Sequence, residues 1–258
     1  SFTAVMAALD VELVELPFNC CGYPARGESL EISILSSVKN LALARAQNLD
    51  IITPCKCCFG QFRHAEHWYT SDLGLRSRID NWLLEENLSW DGQTRVMHLL
   101  DFLTGSIGLD RLEKRITRKL NPRTVAVQYG CHALRPFSIT HFDNPVFPRI
   151  FEQVLGLTGL RLLDWSRRTE CCGNPIQETL PELAQKLLKD KFESASREGA
   201  DLICTACTHC QMQYEPALDN EAVPTHGIDS VLVTQLLGLA LGCDPESLAG
   251  SKDLSHLY

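Results

Sequence analysis

The chemistry available to this sequence lies in its twelve cysteines. Two pairs are adjacent, Cys20-Cys21 and Cys171-Cys172, and each runs into a glycine, Gly22 or Gly173. Each pair is followed by a CxxC: Cys55 and Cys58 after 33 residues, Cys207 and Cys210 after 34. Clustered thiols staple small secreted domains, exchange electrons as a dithiol, or hold metal. At 258 residues the chain is longer and less cysteine-dense than disulfide scaffolds, and no export-signal pattern is visible. A thioredoxin-like role for Cys55/Cys58 or Cys207/Cys210 leaves the adjacent pairs unexplained. Zinc takes four ligands in a tetrahedron, commonly from two CxxC knuckles. Adjacent side chains in extended backbone point apart, so Cys171 and Cys172 suit one tetrahedral ion poorly and a cluster of several irons better. Cys131 precedes the second pair by 39 residues and adds a fifth thiol, more than zinc requires.

The elements that must position these thiols occur twice. The strings FNCCGYP and TECCGNP head the two copies. After each pair an amphipathic helix is expected, over residues 30–48 and 180–199. A short apolar run ending at cysteine follows, DIITPC or DLICTAC. Strands are expected over 11–16, 50–53, 124–128, 160–164 and 201–204, with one more near 94–98 in a helical insertion spanning 71–119. Strands alternating with helices indicate a parallel α/β sheet. The expected fold is α/β, with two tandem Rossmann-like halves, residues 1–121 and 122–258. Ligands of such sheets bind at the carboxyl ends of the strands, where each cysteine group falls. Gly22, Gly130 and Gly173 are expected to let backbone approach the bound group closely. Superposing the halves puts the partner of Cys131 upstream of Ser1, so a further strand and cysteine are expected there.

With a net charge of −8 and no basic run, the chain is not expected to bind nucleic acid. The longest apolar stretch, near 231–243, is too short to span a bilayer; a cytoplasmic protein is expected. Basic groups nevertheless gather near the cysteine motifs: Arg26, Lys56, Arg63, His64, His132, Arg135 and His209. Trp68, Trp82, Trp90 and Trp165 read as core or interface, and Cys243 as a core residue of the C-terminal helix. No GxGxxG follows any strand, so no flavin or nicotinamide site is expected.

The doubled C-x39-CC-x34-CxxC pattern, with CCG at each pair, resembles the CCG-domain family, and within it the B-type subunits of heterodisulfide reductases. The strings VQYGCHALRP, CCGNP and TQLLGLALG carry the likeness across essentially the whole chain. The resemblance implies two noncubane [4Fe-4S] clusters, each two iron–sulfur lobes fused through a shared iron. Cys131, Cys171, Cys172, Cys207 and Cys210 would hold one. Cys20, Cys21, Cys55 and Cys58 would hold the other, with its fifth ligand missing. Cys57 and Cys204 fall outside the pattern, as spare thiols or substitute ligands. His132 and Arg135, in GCHALRP, would stand behind the ligands. The implied activity is reduction of a disulfide of the CoM-S-S-CoB type to two thiols by one-electron steps, in anaerobic metabolism such as methanogenesis. The implied partners are a C-type subunit with cubane [4Fe-4S] clusters, a flavin-bearing A-type subunit, and a small anionic thiol or disulfide. The same domain serves as a relay or thiol-binding subunit in complexes of sulfur or organic-acid oxidation, so that alternative stays open.

Overall fold

The computed structural model describes residues 1–218, 223–249 and 254–258. In chain order the strands are β1 (Ile51–Thr53), β2 (Val96–His98), β3 (Thr124–Gln128), β4 (Arg161–Leu163), β5 (Leu202–Thr205) and β6 (Asp229–Leu232). The helices that matter here are α1 (Phe2–Ala8), α2 (Leu30–Ala46), α3 (Lys56–Ser71), α4 (Leu73–Glu85), α5 (Pro181–Arg197), α6 (Thr208–Leu218) and α7 (Val233–Ala240).

Two compact units interleave along the chain. One comprises Ser1–Leu13, Leu100–Cys131 and Asp143–Tyr258; the other comprises Val14–Leu99 and His132–Phe142. The expected halves, residues 1–121 and 122–258, and these spatial units are different partitions of the chain.

The larger unit holds a parallel sheet in the order β4-β3-β5-β6. Its inner strands are TVAVQ and LICT, the latter buried at every position, as expected where helices cover both faces. Register is fixed by Val125 opposite Leu202 and Gln128 opposite Thr205, so β3 and β5 end level. Connections leave β3 toward β4 on one side and return to β5 on the other. The strand order thus reverses between β3 and β5, the crevice where open α/β sheets bind ligands. Helix α5 begins with Pro181 in its first turn, which sets φ without losing a needed N–H, and buries Ala184, Leu188, Phe192 and Ala195. Strand β6 was not expected; Asp229 and Ser230 make DSVL look like a loop leading into the apolar run of α7, and only pairing with β5 reveals it.

The smaller unit holds a two-stranded parallel sheet, Ile51 opposite Val96 and Thr53 opposite His98. Helices α2, α3 and α4 bury Ile34, Val38, Leu41, Phe59, Phe62, Ala65, Ile79 and Leu83. Ser29 caps α2 by accepting from the Ile32 amide at 3.3 Å, and Asp72 caps α4 by accepting from Leu75 at 2.9 Å. The expected strand over 11–16 does not form. Its second-half equivalent, β4, pairs only with β3, and the described residues include no first-half counterpart of β3. Apolar residues without a ladder partner for their backbone N–H and C=O groups cannot make a strand.

Candidate metal centre

The larger unit gathers five thiols at the level ends of β3 and β5. Cys131 follows β3 by three residues, across Tyr129 and Gly130, and Cys207 follows β5 by two. Cys210 lies in the first turn of α6, so the CxxC straddles a helix start whose amides point outward. The pair Cys171-Cys172 enters from the loop between β4 and α5. The sulfurs form one continuous chain. Cys131 and Cys172 both donate to Cys171, and Cys210 donates to Cys172 and Cys207. Donation from Cys131 and Cys172, helped by the Gly173 amide at 3.4 Å, pulls the Cys171 thiol down to about 2. The same bonds push Cys131 up and Cys172 up to about 12. Cys172, Cys207 and Cys210 are buried, and Cys131 and Cys171 partly so.

The smaller unit repeats the arrangement with four thiols. Cys58 donates to Cys21 and Cys55, and Cys20 to Cys21. Cys55 is the extended residue at the start of α3. Donation by Cys58 lowers the Cys21 thiol, and hydrogen bonding to Cys21 raises Cys58. Cys20 is exposed, whereas Cys21 and Cys55 are buried.

The adjacent pairs do not splay as extended backbone would require; Cys20 meets Cys21, and Cys171 meets Cys172. The reason is that both pairs lie in turns ending at glycines of positive φ, +87° at Gly22 and +93° at Gly173. Splayed side chains therefore do not argue against a single ion. The number of linked thiols does: five in one chain exceed the four ligands a zinc ion takes. A linked, mostly buried, thiolate-only donor set fits an iron–sulfur centre.

The three glycines divide by role. A Cβ on Gly130 would stand 3.7 Å from the Cys210 sulfur, so this residue does keep backbone near the thiols. A Cβ on Gly22 would strike the Ser33 carbonyl oxygen at 2.3 Å, and one on Gly173 the Ala184 carbonyl oxygen at 2.8 Å. Those two glycines seat each cysteine turn on its following helix.

His132, next in the chain to Cys131, belongs to the smaller unit. Its ring stacks on His64, with centroids 5.1 Å apart and planes at 9°, and lies 4.7 Å from the Tyr23 ring. Arg135 exposes its side chain, and its backbone hydrogen-bonds the His64 ring. Burial, reinforced by Arg26, lowers His64 to about 4. Arg63 pairs with Glu66 at 2.6 Å, and His209 shares a 2.8 Å hydrogen bond with Asn174. Lys56 is 1% exposed, its ammonium 5.8 Å from the Phe142 ring centre. Cys204 is a core residue of β5 and Cys57 a buried residue of α3. Cys243 lies beyond α7 rather than on it, because Gly242, at φ +83°, ends the helix; its sulfur is 3.6 Å from the Ala4 carbonyl.

Sequence reasoning missed Lys191, buried on the apolar face of α5 against the ring of Trp165. A signal existed. Lys191 interrupts the stripe that runs from Ala184 through Leu188 to Ala195, where a solvated lysine has no place.

The cysteine-rich CCG domain matches residues 1–63 and 125–215, and the chain belongs to this family. Its relatives include a protein of Archaeoglobus profundus named as similar to the B-type subunit of heterodisulfide reductase, 29% identical over 97% of this chain and 87% of its own. The 8-methylmenaquinol:fumarate reductase membrane anchor subunit of Wolinella succinogenes is 28% identical over 96% of this chain and 88% of its own. The B-type subunit of the ferredoxin:CoB-CoM heterodisulfide reductase of Methanosarcina mazei is 25% identical over 93% and 82%. A hypothetical protein from Helicobacter pylori shares the fold, with a TM-score of 0.70 at 13% identity; this chain is covered fully and spans 48% of that one. No helix among the described residues is long and apolar enough to cross a membrane.

Proposed function

We propose that this chain is the iron–sulfur catalytic subunit of a heterodisulfide-reductase-type complex, working in the cytoplasm of an anaerobe. The observation that carries the proposal is the single chain of five thiols at the crevice between β3 and β5, echoed by four thiols in the smaller unit. Cys131, Cys171, Cys172, Cys207 and Cys210 would hold one noncubane [4Fe-4S] cluster. Cys20, Cys21, Cys55 and Cys58 would hold a second, in a duplicated half of the same Rossmann-like design. Such clusters pass single electrons, and a disulfide takes up two electrons and two protons as it breaks into two thiols.

The chain's own residues have defined parts in this. The helix starts at Cys55 and Cys207 turn backbone amides toward thiolate charge. Gly130 keeps the β3 turn close to the Cys210 sulfur. Gly22 and Gly173 lock each cysteine pair to its helix. Electrons would come from a C-type subunit with cubane clusters, fed by a flavin-bearing A-type subunit. The substrate would be a small disulfide carrying anionic groups, of the CoM-S-S-CoB type.

A second reading is a relay or thiol-binding subunit of an organic-acid-oxidising or related complex. The similarity to the subunit named for 8-methylmenaquinol:fumarate reductase, a complex that by its name reduces an organic acid, favours membership of such a related complex. Titrating the oxidised, anaerobically prepared protein with thiol separates reaction of a thiol at the iron–sulfur site from a pure relay. A new paramagnetic signal supports direct reaction of the substrate at the iron–sulfur site. No signal with any thiol, in protein of full iron content, supports the relay.

A further inference from the structure

We propose that Lys191 compensates the charge of the second-half thiol site and raises the midpoint potential of the cluster held there. The proposal rests on the iron–sulfur assignment of that site. Lys191 is 1% exposed and sits on the buried face of α5. Its ammonium donates to Gln128 Oε1 at 2.8 Å and to the Arg167 carbonyl at 2.8 Å, and stands 4.7 Å from the centre of the Trp165 ring. Both hydrogen-bond partners are neutral. A buried ammonium with only neutral partners costs several kcal/mol of desolvation, so an opposing charge is needed nearby. Gln128, which accepts from Lys191, lies beside the thiols: a Cβ on Gly130 would stand 3.9 Å from Gln128 Nε2 and 3.7 Å from the Cys210 sulfur. Burial lowers the ammonium pKa, Cys210, Glu170, Cys172 and Cys171 oppose the fall, and the balance is about 8. Glu170 is spoken for at the surface by Arg167, 2.7 Å away. That leaves the negative charge the site carries when its thiols bind a cluster as the principal counter-charge.

The network also reaches the ligands mechanically. Gln128 Nε2 donates to the carbonyl of Glu170, the residue before Cys171, at 2.9 Å. Lys191 thus touches the last residue of β3 and, through it, the turn carrying the cysteine pair. The equivalent position of the first half is Asn40, whose amide brackets Asn19 with bonds of 3.0 and 2.8 Å. Both side chains tie a helix to the approach to a cysteine pair, but only Lys191 brings charge. The smaller unit has a buried ammonium of its own in Lys56, supplied from a different place, the residue after Cys55.

The electrostatic sign is fixed. Reduction adds one negative charge to a cluster, and a fixed cation nearby favours the reduced form. Hydrogen bonding alone would survive replacement by a neutral donor; charge would not. The test uses the anaerobically prepared, cluster-containing chain with Lys191→Gln, Lys191→Met and Lys191→Arg. Iron and acid-labile sulfide are measured, and the second-half cluster is followed by paramagnetic resonance through a redox titration, with the first-half cluster as internal control. Lys191→Gln and Lys191→Met should shift the second-half midpoint negative, while Lys191→Arg holds it and the control stays put. Loss of that cluster in Gln and Met, with retention in Arg, also supports a need for charge. An unchanged midpoint in Lys191→Gln, or loss of the cluster in Arg as well, overturns the proposal while leaving the iron–sulfur assignment intact. Wild-type protein without iron removes both.

Discussion

The thiol of Cys131, just past β3, donates to the sulfur of Cys171, the first of the adjacent pair. This bond joins the end of β3 to the loop that leaves its neighbour β4, and makes Cys131 an end of the five-thiol chain. Replacing it with serine substitutes a hard oxygen for a soft thiolate, a poor exchange for iron–sulfur ligation. Cys131→Ser should cost the second-half cluster its iron and sulfide and leave the first-half signal. Cys204→Ala, in the core of β5, should keep both. Metal analysis alongside resonance spectra checks the contrast.

The glycine after each cysteine pair is held by helix backbone. Alanine at Gly173 meets two obstacles, a φ of +93° and the Ala184 carbonyl oxygen 2.8 Å from its Cβ. The unfavourable backbone alone costs roughly 1–3 kcal/mol. Gly173→Ala and Gly22→Ala should each lower the unfolding free energy, measured by denaturant titration, by that much or more. Gly199→Ala, with φ +86° but open space around it, should cost the backbone strain only.

Gly60 sits inside α3, where alanine ordinarily gains about 1 kcal/mol over glycine. Here a Cβ would lie 2.5 Å from both Cδ2 and the carbonyl oxygen of His132. Gly60→Ala should therefore destabilise the chain, against helix propensity. His132→Ala in the same background should recover part of the loss, because it removes the ring but not the carbonyl. Equilibrium unfolding of the two single variants and the double variant measures the coupling.

Burial lowers His64 to about 4 in the folded chain from an ordinary 6.5. Between those values the unfolded chain binds the proton and the folded chain does not. Its contribution to stability is complete above 6.5 and is lost as pH falls toward about 4. Glu66, raised by burial to about 7, acts with the opposite sign in an overlapping window. The informative quantity is thus the difference between wild type and His64→Gln. Over that acid range wild type should lose stability more steeply than the variant; parallel curves would contradict the burial of His64.

Much of the site could be seen in the sequence because cysteine spacing is explicit and local. The thiols that meet in each unit are those the doubled motif picks out, since the motif encodes which strand ends and helix starts carry them. Strands β1, β3 and β5 were legible as apolar runs bounded by turn residues. The strand expected over 11–16 was not realised, because apolar composition marks a buried surface but a strand also needs a pairing partner. Strand β6 was hidden for the converse reason: Asp229 and Ser230 look unlike a strand until β5 lies beside them. The contacts of His132 and the burial of Lys191 depend on packing between segments distant in sequence. For Lys191 only the broken stripe on α5 hinted at its place.

The central claim is that the five second-half thiols hold an iron–sulfur cluster. The most direct measurement is iron and acid-labile sulfide on anaerobically purified protein, comparing wild type with Cys171→Ser and Cys57→Ser. Iron with matching sulfide in wild type, diminished by Cys171→Ser and unchanged by Cys57→Ser, is the predicted result. Zinc without iron or sulfide, or iron content indifferent to Cys171, would contradict it.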